Sequence, residues 1–250
     1  MLRLKVPKLK NPNVVFRLAA SIEEIENADQ LVLKNYMGVG LWSDNNELVQ
    51  NKHLRAPLRT CLVAMDSEHM LATVSIVKDS SYGLPADKFQ PHAMKRIRAW
   101  GDHLAEVSAL AVDRCANQCS EIILFLFAYL TQYSFFYSDI DRFIISTTEK
   151  HARFYRSVFG FQVFSEPTQH YYVKVKGQLL TVHLLCDRIA LAKNYGIDPV
   201  SRKPGAYEFY DFLLTTNHKC FRFPERHLMR RQRDHDWLAR ARCVQMPIAV

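Results

Sequence analysis

Residues 104 to 113, Leu-Ala-Glu-Val-Ser-Ala-Leu-Ala-Val-Asp, constrain this chain more than any other stretch, because they set an acid inside an apolar strand pattern. Counted by twos, Leu104, Glu106, Ser108, Leu110 and Val112 share one face, and Ala105, Val107, Ala109 and Ala111 share the other. The second face is small and apolar, suited to close packing against helices. The first carries one carboxylate and one hydroxyl. A carboxylate is costly to bury unless it is paired or hydrogen-bonded. Glu106 is therefore expected either in a structural ion pair or in a site.

A strand of this kind needs a core around it, and 250 residues with 48% apolar and 23% charged content suffice for one sizeable core plus an appendage. The basic first ten residues lack an uninterrupted apolar run, so no secretory signal is read and a cytoplasmic location is expected. The apolar run Ile122 to Leu130 is too short to span a bilayer and reads as a buried helix. Six scattered cysteines form no disulfide framework. Cys115 and Cys119 are four apart, but no His or Cys partners follow at matching intervals, so no metal is expected. The formal charge of +8 favours an acidic partner, with basic residues concentrated from Arg222 to Arg242. Nucleic acid, anionic membrane and an acidic carrier protein all fit that charge, as does a solvated basic helix.

Along the chain, Phe16 to Ala19 reads as a strand, and Ser21 with Glu24 as a capping box opening a helix to about Tyr36. Gly38 and Gly40 end it, and residues 41 to 58 read as a loop. Thr60 to Met65 and Leu71 to Val77 form a hairpin about the turn Asp66 to His69. An excursion from Asp79 to Lys88 and a short helix from Pro91 to Trp100 precede the central strand. The basic cluster Lys95, Arg96 and Arg98 is expected on a wet helix face. After the central strand come a helix from Ser120 to Tyr137, a strand from Phe143 to Thr147 and a helix from Lys150 to Val158. Strands follow at Phe161 to Phe164, Tyr171 to Val175 and Leu179 to Leu185. This order implies an α/β (α+β) fold, a mixed central sheet with helices on both faces. The core is expected to close near Cys186, as residues 1–186, with 187–250 a helical extension patterned at Arg188 to Tyr195, Tyr207 to Leu214 and Glu225 to Ala241.

The segment His151-Ala-Arg-Phe-Tyr-Arg-Ser-Val-Phe-Gly-Phe161 resembles the closing motif of the GNAT acyltransferases, and the strand, long helix and second strand upstream follow the GNAT order. A narrower resemblance lies in Leu71 to Val77, Asp79-Ser-Ser-Tyr-Gly-Leu-Pro-Ala-Asp-Lys88 and Ala105-Glu-Val-Ser-Ala-Leu-Ala-Val112. Together these look like the long-chain N-acyl amino acid synthases, a branch related to the acyl-homoserine lactone autoinducer synthases. The match runs from about Phe16 to Leu185. It implies a fatty acyl group passed from an acyl carrier protein thioester to a small amine such as an amino acid, with no permanently bound cofactor.

Three departures from the family pattern stand out. The loop after the central strand, Asp113-Arg-Cys-Ala-Asn-Gln-Cys-Ser120, has no glycine. A backbone cradle for a diphosphate needs close approach, so the loop suits the single phosphate of a carrier protein's pantetheine arm better than CoA. Ala109 stands where the family usually has Arg, and Thr148 where GNAT proteins often have Asn.

In the implied reaction an amine attacks the thioester. Its nitrogen must lose a proton, and Glu106 is the candidate base. The resemblance offers Tyr155 as the proton donor to the leaving thiolate; the alternative is a ring that packs its helix onto the sheet. Backbone N–H groups near Leu110 to Val112 are candidates for the oxyanion, and Ser108, Leu110, Val112 and Arg114 for donor and substrate contacts. Ser108 reads as a hydrogen-bonding residue and not a nucleophile. The aromatic residues from Ile122 to Phe136 either line an acyl tunnel or fill the core. The expected partners are acyl carrier protein and an amine acceptor, with no nucleic acid and a possible peripheral membrane contact. A CoA-dependent acyltransferase and a non-catalytic carrier-binding module are the alternatives.

Overall fold

The computed structural model describes residues 5–41, 59–170, 179–187, 191 and 206–224. Strand β1 is Val14–Leu18 and helix α1 is Ile22–Gly38. The hairpin is β2, Arg59–Asp66, with β3, His69–Lys78. A 3₁₀ turn at Pro85–Lys88 and helix α2 at Pro91–Arg98 lead into β4, Leu104–Val112. Helix α3, Cys119–Gln132, runs on into a π-helical turn, and β5, Arg142–Thr148, and α4, Glu149–Phe159, follow. Short strands β6, Gln162–Val163, and β7, Thr168–His170, both pair with β8, Leu179–Asp187. Helix α5, Ala206–Leu214, and strand β9, Phe221–Arg222, end the described chain.

The strands make one mixed sheet in the order β6-β8-β5-β4-β3-β2-β1-β9, with β7 beside β8. Helices α1 and α2 cover one face and α3 and α4 the other, as the alternation of elements requires. Half of the expected capping box forms: Ser21 Oγ accepts from the Glu24 N–H at 3.1 Å, while the Glu24 carboxylate takes the Ala20 N–H and the Arg17 guanidinium and not the Ser21 N–H. Gly160 ends α4 at φ 72, a left-handed cap that explains the glycine of the closing motif.

The central strand departs from simple alternation. Ser75 faces Ser108 and Thr73 faces Ala111, so Ala109 and Leu110 together oppose Val74 in a β-bulge. Ala109 takes φ 53, a left-handed conformation unusual for a residue with a side chain. The expectation that Leu110 and Val112 share the Glu106 face is therefore corrected. Past the bulge they pack with Ala105 and Val107 in the main core, while Ala109 and Ala111 turn to Val32 of α1. One extra residue exchanges the two faces.

The wet-face expectation for Arg98 is also corrected. Its guanidinium binds Asp79 at 2.6 and 2.8 Å and Asp87 at 2.6 and 2.5 Å, tying the excursion to α2. In the stretch after residue 186, α5 packs on α3, and β9 adds a parallel strand beside β1 that alternation did not foretell in so short a segment. Phe209, Phe212, Leu213 and Phe221 of this stretch are buried in the main core cluster. Residues 42–58, the expected strand Tyr171–Val175, all of Arg188–Tyr195 but Leu191, and Glu225–Ala241 lie outside the described residues.

The bulge makes a testable demand on residue 109. Ala109→Val is expected to lower stability by roughly 1–2 kcal/mol in denaturant unfolding, whereas Ala109→Gly, free at positive φ, is not.

Candidate active site

Strands β4 and β5 run parallel but pair only through Leu104 with Arg142, Ala105 with Phe143 and Glu106 with Ile144. Beyond Glu106 they part. The gap is bordered by Ser108 and the bulge on one side and by Ser146 to Thr148 on the other. Its closed end is held by Arg142, which binds Asp102 at 2.8 Å through Nε, pairs with Asp187 at 3.0 Å and stacks on Trp100 at 4.6 Å. A gap between two strands bares main-chain N–H and C=O groups that a sheet would otherwise use.

Glu106 sits where the gap begins, and is 3% exposed. Its Oε2 accepts from the Ala86 N–H of the 3₁₀ turn at 2.7 Å, and the nearby Ser146 hydroxyl favours its charged form. Burial pushes its pKa up from 4.5 to about 8; the Ala86 N–H and the Ser146 hydroxyl pull the other way, and the negative charge of Asp87 adds to the rise. At neutral pH the resting carboxyl is thus mostly protonated. No cation pairs with it among the described residues, which sets aside the structural ion pair.

Tyr155 projects from α4 on the opposite face, its ring among Phe127, Phe154, Phe159 and Phe161. Burial raises the phenol well above its usual range, and Tyr36 of α1 is near enough to add to that rise. Packing and a polar tip coexist in this one residue.

The remaining expected residues scatter. Ser108 lies half-buried opposite Ser75, whose Oγ takes a 2.9 Å hydrogen bond from Arg59. Arg59 is itself forked onto Asp29 of α1 at 3.2 and 2.6 Å. Leu110 and Val112 face the main core, so only their backbone borders the gap, and the Val112 carbonyl is taken by Asn35 of α1 at 3.0 Å. Arg114 is exposed, and a Cβ at Gly38 would stand 3.6 Å from its guanidinium, which places it at the mouth between β4 and α1.

The glycine-free loop folds upon itself. The Asp113 carboxylate accepts from the Cys115 N–H at 3.0 Å and pairs with His69 at 2.8 Å, and the Asp113 carbonyl accepts from the Ala116 N–H at 3.0 Å. Two N–H groups that a phosphate cradle would need are already used.

Sequence reading missed Ser146 and His183. His183 of β8 is fully buried, and Ser146 Oγ lies 3.0 Å from its Nδ1. The signal was available: a histidine inside the run Leu-Leu-Thr-Val-His-Leu-Leu has the same form as an acid inside the central strand.

The aromatic supply of α3 is spent on packing. The space bounded by Val107, Phe127, Phe135, Phe143, Phe159 and Cys186 is a cavity of about 10 Å³, room for about one water. Of the two alternatives for these aromatics, an acyl tunnel or plain core, this conformation shows the filled core.

Glu106 carries a pH signature. Its folded pKa exceeds the unfolded one, so its contribution to stability is present below about 4.5 and is lost as pH rises to about 8. Glu106→Gln is expected to remove that decline, by on the order of a few kcal/mol across the window, in unfolding curves measured from pH 4 to pH 9.

Known proteins share this fold. The profile of the N-acyl amino acid synthase FeeM family matches residues 27–183, more than half of the chain. The structure of FeeM, an N-acyl amino acid synthase from uncultured soil microbes, superposes with a TM-score of 0.61 at 24% identity, over 71% of this chain and 93% of that one. The CoA-dependent acyl-homoserine lactone synthase BjaI, solved with SAM and isopentyl-CoA, gives 0.53 at 11% identity, over 92% and 100%. An agmatine N-acetyltransferase gives 0.51 at 12% identity, over 70% and 99%. No curated protein sequence matches the chain. With a strand gap opening at a buried carboxyl inside a GNAT-type sheet, the chain belongs to the FeeM family of N-acyl amino acid synthases and is an acyltransferase.

Proposed function

We propose that the protein transfers a fatty acyl group from the phosphopantetheine thioester of acyl carrier protein to the amine of an amino acid or a similar small amine. The observation that carries this reading is the β4–β5 gap, which begins at Glu106 and is flanked by the self-satisfied loop 113–118. A pantetheine arm is long, narrow and rich in amides, and it fits between parted strands by hydrogen-bonding to their free edges. The loop has little backbone left for a diphosphate, so a single phosphate contacted by the exposed Arg114 suits it better than CoA.

The amine nitrogen attacks the thioester carbon as the C–N bond forms; the C–S bond then breaks and the thiolate leaves. Glu106 takes the proton from nitrogen. With a pKa of about 8 it is ionised in roughly a tenth of molecules at pH 7, and that fraction is a stronger base than an ordinary carboxylate. N–H groups of the bulge polarise the thioester oxygen. Tyr155, whose proton is held tightly, stabilises the departing sulfur as a hydrogen-bond donor, a narrower role than full proton transfer. Ser108 borders the gap beside Glu106, where a substrate polar group can meet it.

A long acyl chain enters on the α3 side by displacing the rings around the small cavity. At roughly 0.8 kcal/mol per CH₂, a dozen carbons supply roughly 10 kcal/mol towards that displacement.

Purified protein incubated with long-chain acyl carrier protein and a panel of amino acids is expected to release thiol and form amide faster than with the matching acyl-CoA. Preference for acyl-CoA would favour the second reading, suggested by the CoA-dependent BjaI; thioester binding without thiol release would favour a carrier-binding module. Glu106→Gln and Tyr155→Phe are each expected to lower turnover, the first by about 10²–10⁴; unchanged turnover in both would overturn the assignment of roles. Phe127→Ala is expected to shift donor preference to longer chains while costing about 3 kcal/mol in stability.

A further inference from the structure

The polar groups on the α1/α2 face of the sheet line up beyond what the transfer step uses. Ser146 on β5 is near enough to the Glu106 carboxylate on β4 to favour its charged form. Ser146 Oγ lies 3.0 Å from His183 Nδ1 on β8, and His183 Nε2 lies 2.8 Å from Thr168 Oγ1 on β7. Three side chains on three strands thus form a hydrogen-bonded row with its inner end beside Glu106, next to the apolar cluster that contains Val77, Leu104 and Ile144. His183 is 0% exposed and its ring packs against Phe89 and Phe164, at 6.4 and 6.1 Å between centroids. Thr168 is half-buried at the outer margin of the sheet. The row therefore starts beside a sealed carboxyl and ends near solvent.

We propose that Ser146, His183 and Thr168 form a proton path leading from Glu106 to the edge of the sheet, with Ser146 and His183 as positioning residues that hold the carboxyl. This rests on the reading of Glu106 as the base. Every link has a consistent hydrogen-bond pattern in both protonation states. When Glu106 is ionised, the Ser146 hydroxyl donates to it, the His183 Nδ1–H donates to Ser146, and the Thr168 hydroxyl donates to Nε2. When Glu106 is protonated, it donates to Ser146, Ser146 donates to Nδ1, the Nε2–H donates to Thr168, and Thr168 donates to water. The balance closes: one proton enters at Glu106 from the amine, one leaves from Thr168 to water, and Ser146, His183 and Thr168 each pass one hydrogen on and receive another. The imidazole changes tautomer and ends neutral. A base sealed at 3% exposure needs such an outlet to reset between turnovers once substrate fills the gap.

Other charged groups around Glu106 have fixed partners. Asp87 on the 3₁₀ turn, whose field reaches the carboxyl, is held with Asp79 by Arg98 of α2. Further along the same face, Arg59 of β2 is forked onto Asp29 of α1. His183 is the group on this face whose two ring nitrogens link Glu106 outward.

The test joins a readout of the carboxyl itself with kinetics. The protonated carboxyl stretch of Glu106 is isolated as the infrared difference between the protein and Glu106→Gln, and titrated with pH in the absence of substrate. Ser146→Ala is expected to move that titration upward, because it removes a hydroxyl that favours the charged form. His183→Gln, which still accepts and donates but cannot change tautomer, is expected to lower kcat roughly tenfold at unchanged KM. It should also reduce the solvent deuterium effect from a multi-proton to a single-proton dependence. The kinetic substrates are a long-chain acyl carrier protein and the best amino acid of the panel. Unchanged titration in Ser146→Ala together with unchanged kcat and isotope dependence in His183→Gln would overturn the path. If His183→Gln does not fold, Thr168→Val at the sheet edge reads the same isotope dependence. If Glu106→Gln keeps full turnover, the base assignment has failed, and with it the path; a path that fails alone leaves Glu106→Gln inactive and the His183 and Ser146 variants unaltered.

Discussion

The structure turns on a parallel strand pairing that stops after three residue pairs. Strands β4 and β5 are locked at one end by Arg142, which reaches Asp102, Asp187 and the Trp100 ring. At the other end they are free to part. The closed end fixes the geometry, and at the open end the two strands leave the ladder. Glu106 stands at the transition, held by a turn on one side and with Ser146 near it on the other. The bulge at Ala109 lies beside the same gap: one extra residue and a left-handed φ interrupt the regular strand there.

Much of this was legible in the residues themselves. Alternation located the central strand and singled out Glu106, because a charged group in an apolar strand must be accounted for by a partner or a task. The helix capped by Ser21, the hairpin at residues 59–78 and the helix before Gly160 follow from local chemistry, and each formed within two residues of its expected ends. What escaped were features set by neighbours in space. The bulge inverts the faces of Leu110 and Val112, and no local pattern distinguishes one more residue in an apolar strand from regular alternation. Arg98 looks solvated in a helix read alone, but two aspartates from the preceding excursion meet it. His183 and Ser146 sit in different strands, and only the order β8-β5-β4 brings them to Glu106.

The aromatic side chains divide between two duties. Phe127, Phe135, Phe143 and Phe159 close a space beneath the strands that is too small for more than a water. Phe125, Phe212, Phe221 and His218 form edge-on contacts that join α3 to the last described helix and strand. The first set packs the sheet against α3 and α4. The second set is remote from the gap and serves cohesion.

The two-residue strand β9 has an effect out of proportion to its length. It lies parallel to β1, and the Phe16 N–H donates to the Cys220 carbonyl at 2.8 Å. Without it, β1 would be an outermost strand with a row of unused donors and acceptors, the kind of margin that recruits other chains into intermolecular sheets. The segment that arrives last in the described chain therefore works as a seam, closing a border that the family-matched region, residues 27–183, does not itself contain.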